Sequence, residues 1–340
     1  MLDRTQQARL RQRRRASASR WETSTGESKG PWSKPLGIVL GIMVTLLAAF
    51  LLYRTLSKYR LDEIVAAVGA IPTTRIAMAA AFAAASYLCL TGFDWLALRY
   101  VEHPLRYRYV ALASFVSLSL GHNIGFAALS SGAIRYRFYS RRGLSVGEIA
   151  KVILFCGITV GLGLAVLGGA ALLLRSDVAM QMSGLGSAVT LTVGIACIAA
   201  PIGYLMLAAL VKRPLHIRNW TLEMPPFRLA AAQLIVGALN FACVAACLHQ
   251  TLLAVADLSY LAVAVAYVIA VASALITHVP GGLGVIETVM LYLLPEGRFI
   301  GALIMFRVVY FLVPLCFGAV AFALAEAAFA RERGTSNRSK

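Results

Sequence analysis

The sequence predicts an all-α integral membrane protein made of two inverted repeats of transmembrane helices, each with broken, re-entrant half-helices. Three observations predict it. Long apolar runs carry little charge. Two further apolar stretches are interrupted by glycine, histidine and proline. The chain also matches itself when shifted by the 156 residues that separate His122 from His278.

Of the 340 residues, 59% are hydrophobic and 14% charged, and the mean hydropathy is +0.76. A water-soluble domain carries about 25% charged residues. Several apolar runs approach or exceed the roughly 20 residues that a helix needs to cross a bilayer. This composition excludes a water-soluble globular domain. The net charge of +17 is concentrated at the start, where Arg4, Arg9, Arg11, Arg13, Arg14, Arg15 and Arg20 crowd together. Residues 1–35 read as a basic, disordered cytoplasmic tail that fixes topology by the positive-inside rule, with no role in binding nucleic acid. The six cysteines all fall in apolar runs and read as core packing. No metal site and no cofactor is expected.

The first continuous span is Leu36–Tyr53. Arg75–Leu98, Val152–Leu174, Ser187–Val211, Leu229–Leu253 and Phe299–Ala328 follow it. Two stretches behave differently. Tyr109–Tyr139 is broken by Gly121-His122-Asn123 and Gly125, and Leu258–Pro295 by His278-Val279-Pro280-Gly281-Gly282. Proline and clustered glycine interrupt a helix. At membrane depth such a break is tolerated only inside protein or beside a watery cavity.

At the 156-residue offset His122 falls on His278, Gly125 on Gly281, Tyr136 on Tyr292, Arg142 on Arg298, Val152 on Val308 and Phe155 on Phe311. Lys151 falls on Arg307, a cation on a cation. The spans coincide as well, so residues 36–174 read as repeat one and 192–330 as repeat two of a transmembrane flippase-like domain, 36–330. A short cytoplasmic tail, 331–340, comes last. Loop charge gives the orientation. If each broken stretch enters and leaves on one side, the loops bearing Arg99 to Arg108, Arg135 to Lys151 and Lys212 to Arg218 all lie inside, and the one partial exception is Arg54, Lys58 and Arg60, which lie outside, diluted by Asp62 and Glu63. Each half then has three full spans, and an odd number inverts the second half. The expected location is a bacterial cytoplasmic (inner) membrane, multi-pass, with both termini cytoplasmic.

Inverted repeats with broken helices near the midplane are a transporter architecture. A half-helix that starts at a break presents free N–H groups and a positive dipole end, which favour an anion such as phosphate. The half-helices starting near Gly125 and Gly282 each offer such an end. Arg307 lies about 12 Å into its span at 1.5 Å per residue. A charge at that depth needs a partner or a cavity, and Glu287 is the expected partner. The candidate substrate-binding residues are His122, Asn123, Arg135, Arg137, His278, Gly281, Gly282, Glu287 and Arg307. Arg135, Arg137, Arg141 and Arg142, interleaved with Tyr136, Phe138 and Tyr139, fit either a phosphate-binding edge or an ordinary cytoplasmic border with its aromatic belt. Asp94 is expected to pair locally with Arg99 at the interface. There is no G-x-S-x-G, phosphate loop or H-E-x-x-H, so no catalytic residue is assigned and no enzyme is expected.

Three segments carry a family resemblance. Leu120-Gly121-His122-Asn123-Ile124-Gly125-Phe126, followed by Gly132-Ala133-Ile134-Arg135-Tyr136-Arg137-Phe138-Tyr139-Ser140, resembles the signature of the lysylphosphatidylglycerol synthetase transmembrane (flippase) family. His278-Val279-Pro280-Gly281-Gly282-Leu283-Gly284-Val285-Ile286-Glu287 resembles its second signature, and Phe306-Arg307-Val308-Val309-Tyr310-Phe311-Leu312-Val313-Pro314 its third. The resemblance spans roughly Leu36 to Ala328. In that family's bifunctional members it implies a membrane domain that flips aminoacylated phosphatidylglycerol, made by a separate cytoplasmic aminoacyltransferase domain. This sequence ends at Lys340, and a stand-alone member without that domain is expected.

The function expected is that of an integral membrane lipid translocase, handling a phospholipid such as aminoacylated phosphatidylglycerol. The alternative is a non-transporting membrane partner or regulator of a separate lipid-synthesising enzyme. The partners to consider are a membrane phospholipid, a separate lipid-modifying enzyme and a second copy of the chain.

Overall fold

Eleven α-helices and one small hairpin dominate the described part of the chain: residues 69, 71–122, 127–184, 186–211, 215–217, 220–277, 282–294 and 299–338 of a computed structural model. The helices are α1 (Thr73–Tyr100), α2 (Tyr107–Gly121), α3 (Ala127–Tyr139), α4 (Val146–Leu174), α5 (Ser176–Ser183), α6 (Ser187–Leu210), α7 (Phe227–Leu252), α8 (Tyr260–Thr277), α9 (Val285–Leu293), α10 (Ile300–Arg307) and α11 (Val313–Arg338). A π-helical turn, Val308–Leu312, joins α10 to α11, and strands Leu215–Ile217 and Trp220–Leu222 pair antiparallel between α6 and α7. The protein is an all-α membrane protein. The hairpin and the short α5 are the elements that hydropathy does not disclose, because neither has an apolar run.

Five of the spans read from sequence coincide with α1, α4, α6, α7 and the α10–α11 run. Leu36–Tyr53 and the basic tail 1–35 lie outside the described residues. Six of the described helical segments are long and apolar enough to cross a membrane: α1, α4, α6, α7, α8 and Ile300–Phe329. Here the second broken stretch differs from expectation. Its first half, α8, has 18 residues and a length of about 27 Å, close to a full crossing. α2 and α3, of 15 and 13 residues, are the shorter pair.

Local sequence sets the ends. Ser145 and Glu148 form a capping box at α4: Ser145 N–H donates to Glu148 Oε2 at 2.7 Å, and Glu148 N–H to Ser145 Oγ at 3.2 Å. Pro314 lacks an N–H, which frees the carbonyl of Tyr310 one turn back. The Tyr87 hydroxyl donates to that carbonyl at 3.4 Å, and the backbone there takes its π-helical turn.

Packing centres on α1, α4 and α7. α1 and α7 run antiparallel along their whole length: Arg75 Nη1 donates to Gln250 Oε1 at 2.9 Å, Ser86 Oγ to Asn240 Oδ1 at 2.7 Å, and Tyr100 OH to Glu223 O at 2.6 Å. α4 meets α7 backbone to backbone at Gly163 and Gly237, where a Cβ on Gly163 would fall onto the Gly237 carbonyl. Small residues permit that approach, which maximises dispersion contact where lipid supplies no hydrophobic drive. The outward faces are apolar too, with Leu88, Ile202, Leu210, Phe317 and Leu324 exposed, as suits a lipid-facing surface.

The 156-residue offset carries α1 onto 229–256 and thus α7, α2 onto α8, α3 onto α9, and α4 onto the α10–α11 run. The packing partners correspond. α2 packs on α3 as α8 does on α9, α3 on α4 as α9 on α10, and α2 on α11 as α8 on α4.

Candidate functional site

Three ion pairs hold the short helices in place. In the first, Asp94 on α1 is fully buried and Arg135 on α3 is 3% exposed. Arg135 grips it with two prongs, Nε to Oδ1 and Nη2 to Oδ2, each 2.8 Å. Ser114 Oγ and Tyr139 OH also donate to the carboxylate at 2.8 Å. Arg135 Nη1 donates to Ser131 Oγ at 3.0 Å. Among the described residues the strong partners of the Asp94 carboxylate come from α2 and α3, so the network fixes the first broken stretch against α1.

This corrects the expected Asp94–Arg99 pair. Residues five apart on a helix point well apart, whereas residues four apart share a face. Arg99 accordingly lies over the Trp95 ring, 3.7 Å from its centre, and Asp94 turns inward.

In the second, Arg307 Nε donates to Glu287 Oε1 at 2.5 Å and Nη2 to Oε2 at 3.0 Å, so the two expected partners meet. Nη2 also donates to the Gly282 carbonyl at 2.8 Å. Arg307 is buried and stands beside the π-helical turn, with Phe311 4.7 Å from its guanidinium. Gly282 has φ +59°, and a Cβ there would press on Ala274 and Ile286. Glycine is the residue that this turn accepts.

The same geometry changes the reading of the helix end near Gly282. Glu287 Oε2 accepts from Gly284 N–H at 2.9 Å, so the N-terminus of α9 already holds an anion. A carboxylate at the third helical position satisfies a donor that a substrate phosphate was expected to take.

The third pair is one that the sequence reading does not contain. Arg137 on α3 donates through Nε and Nη2 to Glu326 on α11 at 2.6 and 2.5 Å, and Arg141 Nη2 reaches Glu326 Oε2 at 3.5 Å. Arg135 and Arg137 are therefore not an open cationic edge, since each faces a carboxylate. A signal for this pair is present in the sequence: an acid in the last turns of an apolar span requires a partner.

His122 ends α2, where its N–H donates to Leu118 O at 2.9 Å. Its Nδ1 is buried and has no hydrogen-bond partner among the described residues. Asn123, His278 and Gly281 lie outside the described residues. Near the α1–α7 crossing, Ser86 Oγ lies 3.0 Å from Tyr310 OH, which joins α1, α7 and the π-helical turn in one polar cluster with Asn240.

No family model matches the chain. It is 31% identical over 264 residues to the uncharacterized protein slr0712 of Synechocystis sp., an alignment that covers 76% of this chain and 82% of that protein. The chain belongs to the slr0712 family. The inner membrane protein YbhN of Escherichia coli is similar too, 29% identical over 249 residues, covering 71% of this chain and 77% of YbhN. Neither name records an activity. Together with the six apolar helices, the likeness to YbhN makes this slr0712 relative a multi-pass inner membrane protein.

Proposed function

We propose that this protein is a phospholipid translocase of the inner membrane, built from two inverted halves that hold a headgroup between their broken stretches. One observation carries the reading. α1 and α7, which the 156-residue offset superposes, pack antiparallel against each other. The offset carries Ser86 to position 242, two residues from its hydrogen-bond partner Asn240, so this contact sits close to a shared midpoint. Equivalent helices that pack antiparallel about such a midpoint are what an inverted repeat produces. The buried pairs Asp94–Arg135 and Glu287–Arg307 then tie one short half-helix to one span in each half. The three motif resemblances to the lysylphosphatidylglycerol synthetase transmembrane family support a lipid cargo, and the name of YbhN supports the inner membrane.

The headgroup site would draw on His122 and Asn123 at one break, and on His278, Gly281, Gly282, Glu287 and Arg307 at the other. Arg137 would line its mouth, and Arg135, buried against Asp94, would hold α3 in place beside it. Glu287 is the more open partner of its pair, 20% exposed against 3% for Arg307, and would offer its carboxylate to the site.

The test is translocation by pure protein. Full-length protein in liposomes should move a labelled phospholipid between leaflets. Arg307→Lys should slow that movement, because an ammonium cannot hold Glu287 by two prongs and the Gly282 carbonyl at once. Gly281→Val should abolish it in protein that still runs as a folded species. Folded protein that moves no lipid, in repeated preparations, overturns the proposal in favour of a partner of a separate lipid enzyme.

A further inference from the structure

Of the three ion pairs, Arg137–Glu326 alone joins the two halves. Asp94–Arg135 links α1 to α3 within the first half, and Glu287–Arg307 links α9 to α10 within the second. Arg137–Glu326 links α3 to α11. It is also the outermost by position: Glu326 lies three residues before the apolar run ends at Phe329. Its carboxylate is 23% exposed, whereas Asp94 is fully buried.

Two guanidinium groups converge on one carboxylate here. Arg137 and Arg141 both point at Glu326, Arg137 by two prongs and Arg141 onto Oε2 at 3.5 Å. The Arg141 guanidinium also rests 4.3 Å from the centre of the Phe329 ring. Phe329 in turn packs against Phe138 at 5.9 Å. A two-oxygen anion gripped by guanidinium forks, beside an aromatic wall, has the chemistry of a phosphodiester on its glycerol stem.

We propose that Arg137 and Arg141 form a phosphate-exchange gate, in which Glu326 holds the place that the phosphate of an anionic phospholipid takes. With Glu326 seated, α3 and α11 are clamped and this mouth is shut. An arriving phosphate displaces the carboxylate from both arginines and releases α11 from α3. This gate rests on the translocase reading, but its anion site can be tested apart from transport.

The experiment measures binding of dihexanoyl phosphatidylglycerol to the full chain in detergent by calorimetry. Glu326→Gln keeps the shape and removes the competing charge. It should bind the lipid about threefold more tightly, the size expected for releasing a partly exposed ion pair. Arg141→Gln, which leaves the Arg137–Glu326 clamp intact, should bind it more weakly. Unchanged affinity in either variant, with thermal melting that shows it folded, overturns the gate, as does a lipid that binds no form. Inorganic phosphate is titrated in parallel. If it binds and the lipid does not, the site belongs to the free ion and the lipid gate is overturned. The same variants in liposomes separate this inference from the one beneath it. Shifted binding with no translocation by any form keeps the anion site and removes the translocase. Translocation with parental binding in both variants keeps the translocase and removes the gate.

Discussion

Asp94 and Arg135 meet by two parallel hydrogen bonds of 2.8 Å with both side chains shut off from solvent. Each is the other's ion-pair partner among the described residues, so removing either one strands a buried charge. Asp94→Ala or Arg135→Ala should therefore destabilise the fold by about 3–5 kcal/mol. Thermal unfolding in detergent measures this. A melting temperature indistinguishable from the parent's would show that the surroundings absorb a lone charge.

Glu287 and Arg307 should behave in the same direction, more weakly for Arg307→Lys than for Arg307→Ala. The exchange Glu287→Arg with Arg307→Glu should recover part of the stability lost in either single variant. It cannot recover all of it, because Arg307 also bonds the Gly282 carbonyl and Glu287 also caps α9. A double variant no better than the singles would show that those backbone bonds outweigh the pair.

Gly163→Val should separate α4 from α7, since the added carbons meet the Gly237 carbonyl rather than a side chain that can turn aside. Overpacking of this kind costs about 1–3 kcal/mol. The control is Gly161→Val, where a Cβ would meet nothing within 4 Å. Equal melting temperatures for the two variants would contradict the close approach.

From the loop charges we propose that Arg141 faces the cytoplasm. In a chain whose native cysteines have been replaced, Arg141→Cys should resist a membrane-impermeant thiol reagent in intact cells and react in inside-out vesicles. Labelling from the periplasmic face would reverse the topology.

Much of this fold is legible in the sequence because hydropathy reports lipid exposure directly. α1, α4, α6 and α7 stand where their apolar runs do; α2 ends at Gly121, and α8 ends at Thr277, just before His278. The Glu287–Arg307 pair is legible because two opposite charges at depth must compensate each other. Asp94 misleads for a different reason. A cation stands close by in sequence at Arg99, and only helix phase shows that Arg99 points elsewhere, toward Trp95. The Arg137–Glu326 pair is half legible: an acid in the last turns of an apolar span signals that a partner is needed, but that partner lies 189 residues away, a distance that no local pattern spans.

The π-helical turn at Val308–Leu312 has a consequence for angular register. Between Arg307 and Glu326 an uninterrupted α-helix would advance by about nineteen residues, which sets the two roughly 100° apart around the axis. A π turn accommodates about one extra residue and so rotates the downstream helix back by roughly that angle. Arg307 and Glu326 are thereby brought onto one side of the same rod, one facing α9 and the other α3. The length of the turn, and hence the missing N–H of Pro314, acts as the phase setting that lets a single helix engage both broken stretches. A one-residue deletion inside 308–312 would leave the helix continuous and swing one of its two charges out into the lipid.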